Sequence, residues 1–283
     1  MTESVVEVGD VRLTVAALSD VGLKRKVNED SILVESPVFL VADGMGGYEA
    51  GDRASAAVAQ AFQTHLVGEG FGTLEAIRDA LIASDAGVAV VAGDTQRGAG
   101  STVAGAVLVQ HEGVAHWLVF NVGDSRVYRH FGSELEQLTV DHSLGQELVD
   151  NGTMRREDMA TFPDRNVITR AIGAADSTAD SWLVPVTNGE RLLICSDGLS
   201  SELADEGIRA TLTMGGRPDS VAAALVQRAK DGGGRDNISV VVIDVLAGGS
   251  TPASEYTTGS WALRQELEDS SIDDTTIPVA AAG

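Results

Sequence analysis

The sequence predicts an α+β fold: a central antiparallel β-sandwich flanked by helices on both faces, in α-β-β-α layers. Two observations carry this. Short apolar runs bounded by turn residues recur along the chain and read as strands. Pairs of segments with apolar residues at helical spacing stand between them, and helices segregated in this way pack outside a sheet pair.

Val11, Leu13, Val15 and Ala17 alternate with other side chains and predict a first strand. Ile32 to Val34 and Val38 to Ala42 predict a hairpin turning over Glu35-Ser36-Pro37. Glu49 to Leu66 and Thr73 to Val91 are Ala-rich and predict two helices separated by the turn Gly68 to Gly72. Ser101 to Gln110, Val114 to Val122 and Ser125 to Phe131 read as a β-meander with turns at His111-Glu112-Gly113 and Gly123-Asp124. Further strands are expected at Trp182 to Val186, Arg191 to Cys195 and Ile238 to Leu246, and further helices at His142 to Asn151, Asp205 to Thr213 and Arg217 to Asp231. Beyond Leu246 the chain is rich in Gly, Ser, Thr and acid, with one short amphipathic stretch near Trp261 to Leu267. Residues 1–247 therefore form one domain, and 248–283 an acidic, Ser/Thr-rich tail expected to be disordered.

The length of 283 residues and hydrophobic fraction of 43% suffice for one large core. The formal charge of -22 repels nucleic acid and anionic membrane surfaces and excludes them as general partners. Met1 to Asp10 has no apolar leader-like stretch, and no later segment approaches a membrane span, so a cytoplasmic protein is expected. Cys195, the only cysteine, sits in the apolar run Leu192-Leu193-Ile194 and reads as core.

Acidic residues cluster where predicted strands end, at Asn28-Glu29-Asp30, Asp43-Gly44, Asp197-Gly198 and Asp236-Asn237. Asp-Gly is also a common turn, so each alone has a structural explanation. Asp43 directly follows Val38 to Ala42, and Asp197 follows Leu192 to Cys195 at one residue's distance, which places both carboxylates at the mouth of a core. A poorly hydrated carboxylate there requires a cation or hydrogen bonds. Hard oxygen ligands suit Mg²⁺ or Mn²⁺, and the lack of a Cys or His cluster disfavours zinc.

The ordered motifs Arg25-x-x-Asn28-Glu29-Asp30, Asp43-Gly44-Met45-Gly46-Gly47, Gly100-Ser101-Thr102, Gly123-Asp124-Ser125-Arg126, Asp141-His142-Ser143, Ser196-Asp197-Gly198-Leu199 and Asp236-Asn237-Ile238-Ser239 resemble those of PP2C-type (PPM family) protein phosphatases in their bacterial form. The resemblance implies metal-dependent hydrolysis of phosphoserine and phosphothreonine in proteins. The attacking hydroxide would lie between two Mn²⁺ or Mg²⁺ ions, without a covalent phospho-enzyme. It implies that Asp43 bridges both metals, that Gly44 offers its carbonyl to one, and that Asp197 and Asp236 complete the carboxylate ligands. Glu29 and Asp30 would hold metal-bound waters, and Arg25 the substrate phosphate, a role suited to a guanidinium fork. Asp124 would join Asp197 in a weaker third metal site, against the alternative of a plain turn.

Asp141 or Ser143 caps a helix on this reading, and His142 is not assigned to catalysis. Leu144 to Gly173 corresponds to a flap whose Arg155, Arg156, Arg165 and Arg170 admit phosphopeptides or simply form a solvated face. Met45 stands where eukaryotic relatives have His, so that candidate general acid is absent. The implied protein is a cytoplasmic monomer acting in signal transduction opposite a Ser/Thr kinase. The other classes considered are a catalytically silent binding module on the same fold and a regulator dedicated to a single switch protein.

Overall fold

Alternate side chains of a strand point to opposite sides, so an unbroken apolar run such as Val38–Ala42 can be buried whole only between two layers. The computed structural model describes residues 3–46, 50–96, 98–165 and 167–251 and has that layering. In chain order the elements are β1 (Ser4–Val8), β2 (Val11–Asp20), β3 (Asp30–Glu35), β4 (Val38–Met45), α1 (Gly51–Leu66), α2 (Leu74–Gly93), β5 (Gly100–Ser101), β6 (Val103–His111), β7 (Val114–Val122), β8 (Arg126–Phe131) and β9 (Glu134–Gln137). There follow α3 (Leu144–Asp150), a 3-10 turn (Arg156–Thr161), β10 (Asp180–Pro185), β11 (Arg191–Cys195), α4 (Asp197–Ser200), α5 (Asp205–Thr213), α6 (Pro218–Gly232) and β12 (Ile238–Ala247).

One sheet runs β1-β2-β12-β11-β8-β9 and the other β10-β7-β6-β4-β3, with β5 against β4. The strand pairings are antiparallel. Phe39 and Val41 of β4 meet Leu192 and Ile194 of β11 and Val241 and Ile243 of β12 between the sheets. The alternate residues Val38, Leu40 and Ala42 face α1 and α2, packing on Val58, Phe62 and Ile77. On the other side Leu193, Cys195, Val240 and Val242 pack on Ile208, Leu225 and Ala229 of α5 and α6. The expected α-β-β-α layers are thus present. Each apolar run named here divides its side chains between the inter-sheet core and a helix-covered core.

The expected meander is corrected at its third strand. β6 and β7 form the hairpin, with Glu112 and Gly113 both at positive φ (50° and 79°) as a tight two-residue turn requires. β8, however, leaves at Gly123 (φ 111°) and pairs with β11 in the opposite sheet. Val127 then faces the inter-sheet core and Tyr128 the helix side, so the same alternation serves either sheet. The edge strands β1 and β9 and the short α4 are additions to the predicted elements.

Past Ala247, the Ser250 N–H donates to Val186 O at 2.8 Å and its carbonyl accepts from Asn188 N at 3.0 Å, so the bonded body runs beyond the expected boundary. Trp261 to Leu267 lies outside the described residues. No described helix is long and apolar enough to cross a membrane.

Candidate metal and phosphate site

Antiparallel order brings the C-terminal ends of β4 and β11 together with the N-terminal ends of β3, β8 and β12 at one end of the sandwich. Asp43 lies in register with Asp30 across β4 and β3, so both carboxylates share a face. Asp43 continues the Phe39 and Val41 side of its strand and therefore points between the sheets. Its N–H donates to Thr102 Oγ1 (3.1 Å), and its carbonyl accepts from Thr102 N (2.9 Å) and Ser101 Oγ (3.1 Å). Thr102 Oγ1 in turn meets Ser125 Oγ at 2.8 Å. The Gly-Ser-Thr motif thereby ties Asp43 to the turn that carries Asp124.

From the other sheet, Asp197 opens α4 directly after β11, and Asp236 precedes β12. Ser196 Oγ donates to Asp30 Oδ2 (2.9 Å), linking the two sheets at the site. Asn237 accepts from Glu29 N (2.9 Å) and donates to the carbonyls of Val21 (3.1 Å) and Val27 (3.0 Å), which fastens the loop bearing Arg25. Arg25 Nη2 donates to Asp236 Oδ2 at 2.7 Å, and its Nη1 lies 4.0 Å from Glu29 Oε2. Gly44 and Gly51 permit a close approach. A Cβ on Gly51 would stand 2.4 Å from Glu29 Oε1 and 2.9 Å from Gly44 O, so the start of α1 leaves that carboxylate and that carbonyl side by side.

The acids carry the signature of crowded anions. Burial, then repulsion from Asp197 and Asp236, raises Asp30 to about 6, against hydrogen bonds from Ser196 and Ser239. Burial, then Asp236, raises Asp197 to about 6. Asp43 is pushed well up by burial and by Asp30, Asp197, Asp124 and Asp236, and Asp124 by burial, Asp197 and Asp141. Glu29 Oε1 and Asp30 Oδ1 are buried without a hydrogen-bond partner. Orphaned anionic oxygens beside repelling carboxylates fit divalent cations and their waters. Among the described residues no three acidic side chains enclose an ion unaided, and Mg²⁺-like ions retain several waters.

A cleft beside these acids is lined by Asp124, Asp141 and Asp197, by Ser143, Ser200 and Ser201, and by Arg126, Met159 and Arg165. Arg165 thus brings a flap cation to the acids. Arg155 pairs with Glu157 and Asp158 on its own turn, and Arg170 with Asp180. Arg126 is engaged by Asp141 (Nε to Oδ1 2.8 Å, Nη2 to Oδ2 2.6 Å) and by Tyr128. Ser143 supplies the cap of α3, accepting from Gln146 N. His142 Nδ1 accepts from Gly123 N (3.1 Å) and its Nε2 faces Asp180 Oδ2 (3.1 Å), a buried brace for the Asp124 turn. Burial pushes the Cys195 thiol up to about 12, which leaves no thiolate near neutral pH.

A sequence model of protein phosphatase 2C matches residues 24–215. The chain belongs to the protein phosphatase 2C family. The match takes in Arg25 through Asp197 and stops short of Asp236. The serine/threonine protein phosphatase PstP of Mycobacterium tuberculosis is 36% identical over 240 residues, 83% of this chain. This chain spans only 45% of that relative's own length. The serine/threonine phosphatase stp of Listeria monocytogenes is 31% identical over 244 residues, 80% of this chain and 93% of that protein. A crystal structure of the PstP catalytic domain with 2 manganese ions superposes with a TM-score of 0.73 at 33% identity, covering 83% of this chain and 99% of that one.

The structure brings together every site residue that the sequence nominated: Asp43, Gly44, Asp197, Asp236, Asp124, Glu29, Asp30 and Arg25. Sequence reasoning passed over Ser196 and Asn237 as residues that hold the loops. Both are polar positions immediately beside apolar strands and nominated acids, which is the signal that finds them.

Proposed function

We propose that this chain is a protein-serine/threonine phosphatase that hydrolyses phosphoserine and phosphothreonine with a pair of Mn²⁺ or Mg²⁺ ions. The observation that carries the reading is the convergence of Asp30, Asp43, Asp124, Asp197 and Asp236 from separate strand ends and turns, four of them raised by burial and mutual repulsion. The two-manganese complex of the PstP domain supports it. When bound, such ions acidify a water to supply hydroxide near neutral pH and offset charge on the phosphoryl oxygens.

The chain's own residues divide the remaining work. Asp43, the Gly44 carbonyl, Asp197 and Asp236 would hold the two cations, with Asp124 and Asp197 at a weaker third position. Glu29 and Asp30 orient waters through their unpartnered oxygens. Arg25, half exposed and anchored on Asp236, presents a guanidinium fork to two phosphate oxygens. Arg165 on the cleft wall draws the phosphopeptide toward an otherwise acidic floor. Met45 has no proton to give where eukaryotic relatives have His, so the leaving alkoxide takes its proton from water. Cys195 is sealed in the core, and the reaction needs no covalent intermediate. The substrates are phosphorylated proteins in a signalling system opposite a Ser/Thr kinase, handled by a cytoplasmic monomer.

Hydrolysis of p-nitrophenyl phosphate and a phosphothreonine peptide in Mn²⁺, Mg²⁺ and EDTA tests this directly. Activity confined to the metal-containing reactions is expected. Equal rates in EDTA and Mn²⁺ would end the metal reading.

A further inference from the structure

We infer that Glu202 is a positioning residue that aims Asp236 at the metal site, a role resting on the reading of Asp236 as a ligand. Asp236 follows a glycine turn at the end of α6. Gly233 and Gly234 lie at φ 148° and 52°, and their N–H groups donate to Lys230 O and Ala229 O (3.1 Å each), which ties the turn to the helix. A further restraint, just before Asp236, comes from beside the opposite acid. The α4 turn opens with Asp197, and two residues after its end Glu202 presents a carboxylate only 1% exposed.

That carboxylate is fully engaged by one residue. Oε1 accepts from the Arg235 backbone N–H (3.0 Å) and from its Nε (2.9 Å), and Oε2 accepts from Nη2 (3.0 Å). Holding both the main chain and the guanidinium of Arg235 orients the next residue, Asp236. Asp236 then carries the orientation on, because its Oδ2 accepts from Arg25 Nη2 at 2.7 Å. Together with the Asn237 N–H, which donates to Asp236 Oδ1 at 2.8 Å, this buried anion holds Asp236 and, through it, the attitude of the phosphate-binding arginine. The Arg235 side chain is 65% exposed, and its guanidinium bonds to Glu202.

Orientation and simple charge make opposite predictions, which renders the idea testable. Glu202→Gln removes a negative charge and Arg235→Ala a positive one. If the pair acts through its field, Mn²⁺ affinity falls in the first and rises in the second. If the pair acts by position, both variants bind Mn²⁺ alone about tenfold more weakly by calorimetry, the scale of supporting contacts around ligands. The double variant is then no worse than either single. The double variant, which leaves neither charge unpaired, should keep its melting temperature in EDTA within about 2 °C of wild type.

Wild-type affinity in either variant, or opposite shifts, overturns the proposal. So does a loss of affinity in the double variant matched by a loss of its stability in EDTA. If Glu202→Gln fails to fold, the exposed Arg235→Ala carries the test alone, and unchanged or tighter Mn²⁺ binding there overturns it. Asp236→Asn is measured alongside. If it binds Mn²⁺ as wild type does, the ligand assignment itself is wrong; if it loses Mn²⁺ while Glu202→Gln does not, only the positioning role is.

Discussion

Raising the pH of the protein in excess EDTA should weaken its fold. Asp30 and Asp197 titrate at about 6 in the folded chain against 3.8 for an ordinary Asp, burial being the first cause. A carboxyl raised in the fold binds its proton more tightly there than in the unfolded chain, so stability falls as pH climbs through that window. Below the ordinary Asp range both states are protonated and nothing is lost; above the raised value the loss is complete. Raising one such carboxyl from 3.8 to about 6 is worth ~3 kcal/mol. In a domain of this size each kcal/mol moves melting by about 2 to 4 °C, so one group accounts for roughly 6 to 12 °C. Asp43 and Asp124 are raised in the same direction. Asp20 and Glu202 are lowered by Lys230 and Arg235, and their contribution disappears only as pH falls below the usual carboxylate range, outside the window. His130, lowered by burial, opposes the trend inside the window, while Glu190, raised by burial, adds to it, so the raised carboxyls outnumber the one opposing group. The assay is thermal melting followed by circular dichroism between about pH 5 and about pH 7.5, in EDTA and in excess Mn²⁺, which binds the ionised acids and should reverse the trend. Asp30→Asn, which removes one of the raised groups, should flatten the EDTA curve. A melting temperature in EDTA that stays constant or rises across the window would refute the account of these carboxylates as crowded and repelling.

Asp43→Asn should remove nearly all turnover while the protein stays folded; a purified variant keeping more than about a tenth of the wild-type rate would contradict the ligand assignment. Arg25→Ala should raise KM for a phosphopeptide more than it lowers kcat, and an unchanged KM would pass phosphate binding to another residue. Arg165→Ala should raise KM for a phosphopeptide but not for p-nitrophenyl phosphate, whose small body does not reach the flap side of the cleft; equal effects on both substrates would remove Arg165 from peptide recognition. Asp124→Asn should fold, bind two metals by calorimetry and hydrolyse phosphopeptide slowly, with partial rescue by added Mn²⁺; wild-type turnover at low Mn²⁺ would return Asp124 to the role of a turn residue.

Much of this site was legible because its acids interrupt apolar runs. Val38–Ala42 and Leu192–Cys195 are buried on both sides, and a charged residue where such a run ends lies at the mouth of a core and needs a reason to be there. The helices were legible for a related cause, since their apolar spacing differs from that of the strands. What escaped is whatever local pattern does not encode. Alternation in Val127 and Tyr128 is the same whether β8 continues the hairpin or crosses to β11, and the choice is made by Gly123 at φ 111° and by the braces His142 and Asn121 give it. β9 (Glu134–Gln137) is a polar edge strand with no core-facing run to announce it.

The crossing at Gly123 is also what gives the site its composition. Had β8 continued the meander beside β7, Asp124 would sit in a hairpin turn of the sheet that already carries Asp30 and Asp43. By changing sheets, the chain passes across the end of the sandwich, where Ser125 meets Thr102 of one sheet while Arg126 begins the strand that pairs with Cys195 of the other. Asp124 is thereby brought near both Asp43 and Asp197: it is raised by burial and then by Asp197, and it raises Asp43 in turn. The same connection that defeats a local reading of the strands therefore builds the part of the acidic cluster that faces the flap. A substitution at Gly123 tests this. A Cβ there would fall 2.6 Å from Thr102 Cγ2 and 2.7 Å from its Cβ, on a backbone already at positive φ. Gly123→Ala should cost about 1 to 3 kcal/mol of stability for the strained backbone and should weaken the third-site dependence on Mn²⁺ more than the binding of the first two ions. Uniform weakening of all Mn²⁺ binding would show that the crossing supports the fold generally and has no special hold on Asp124.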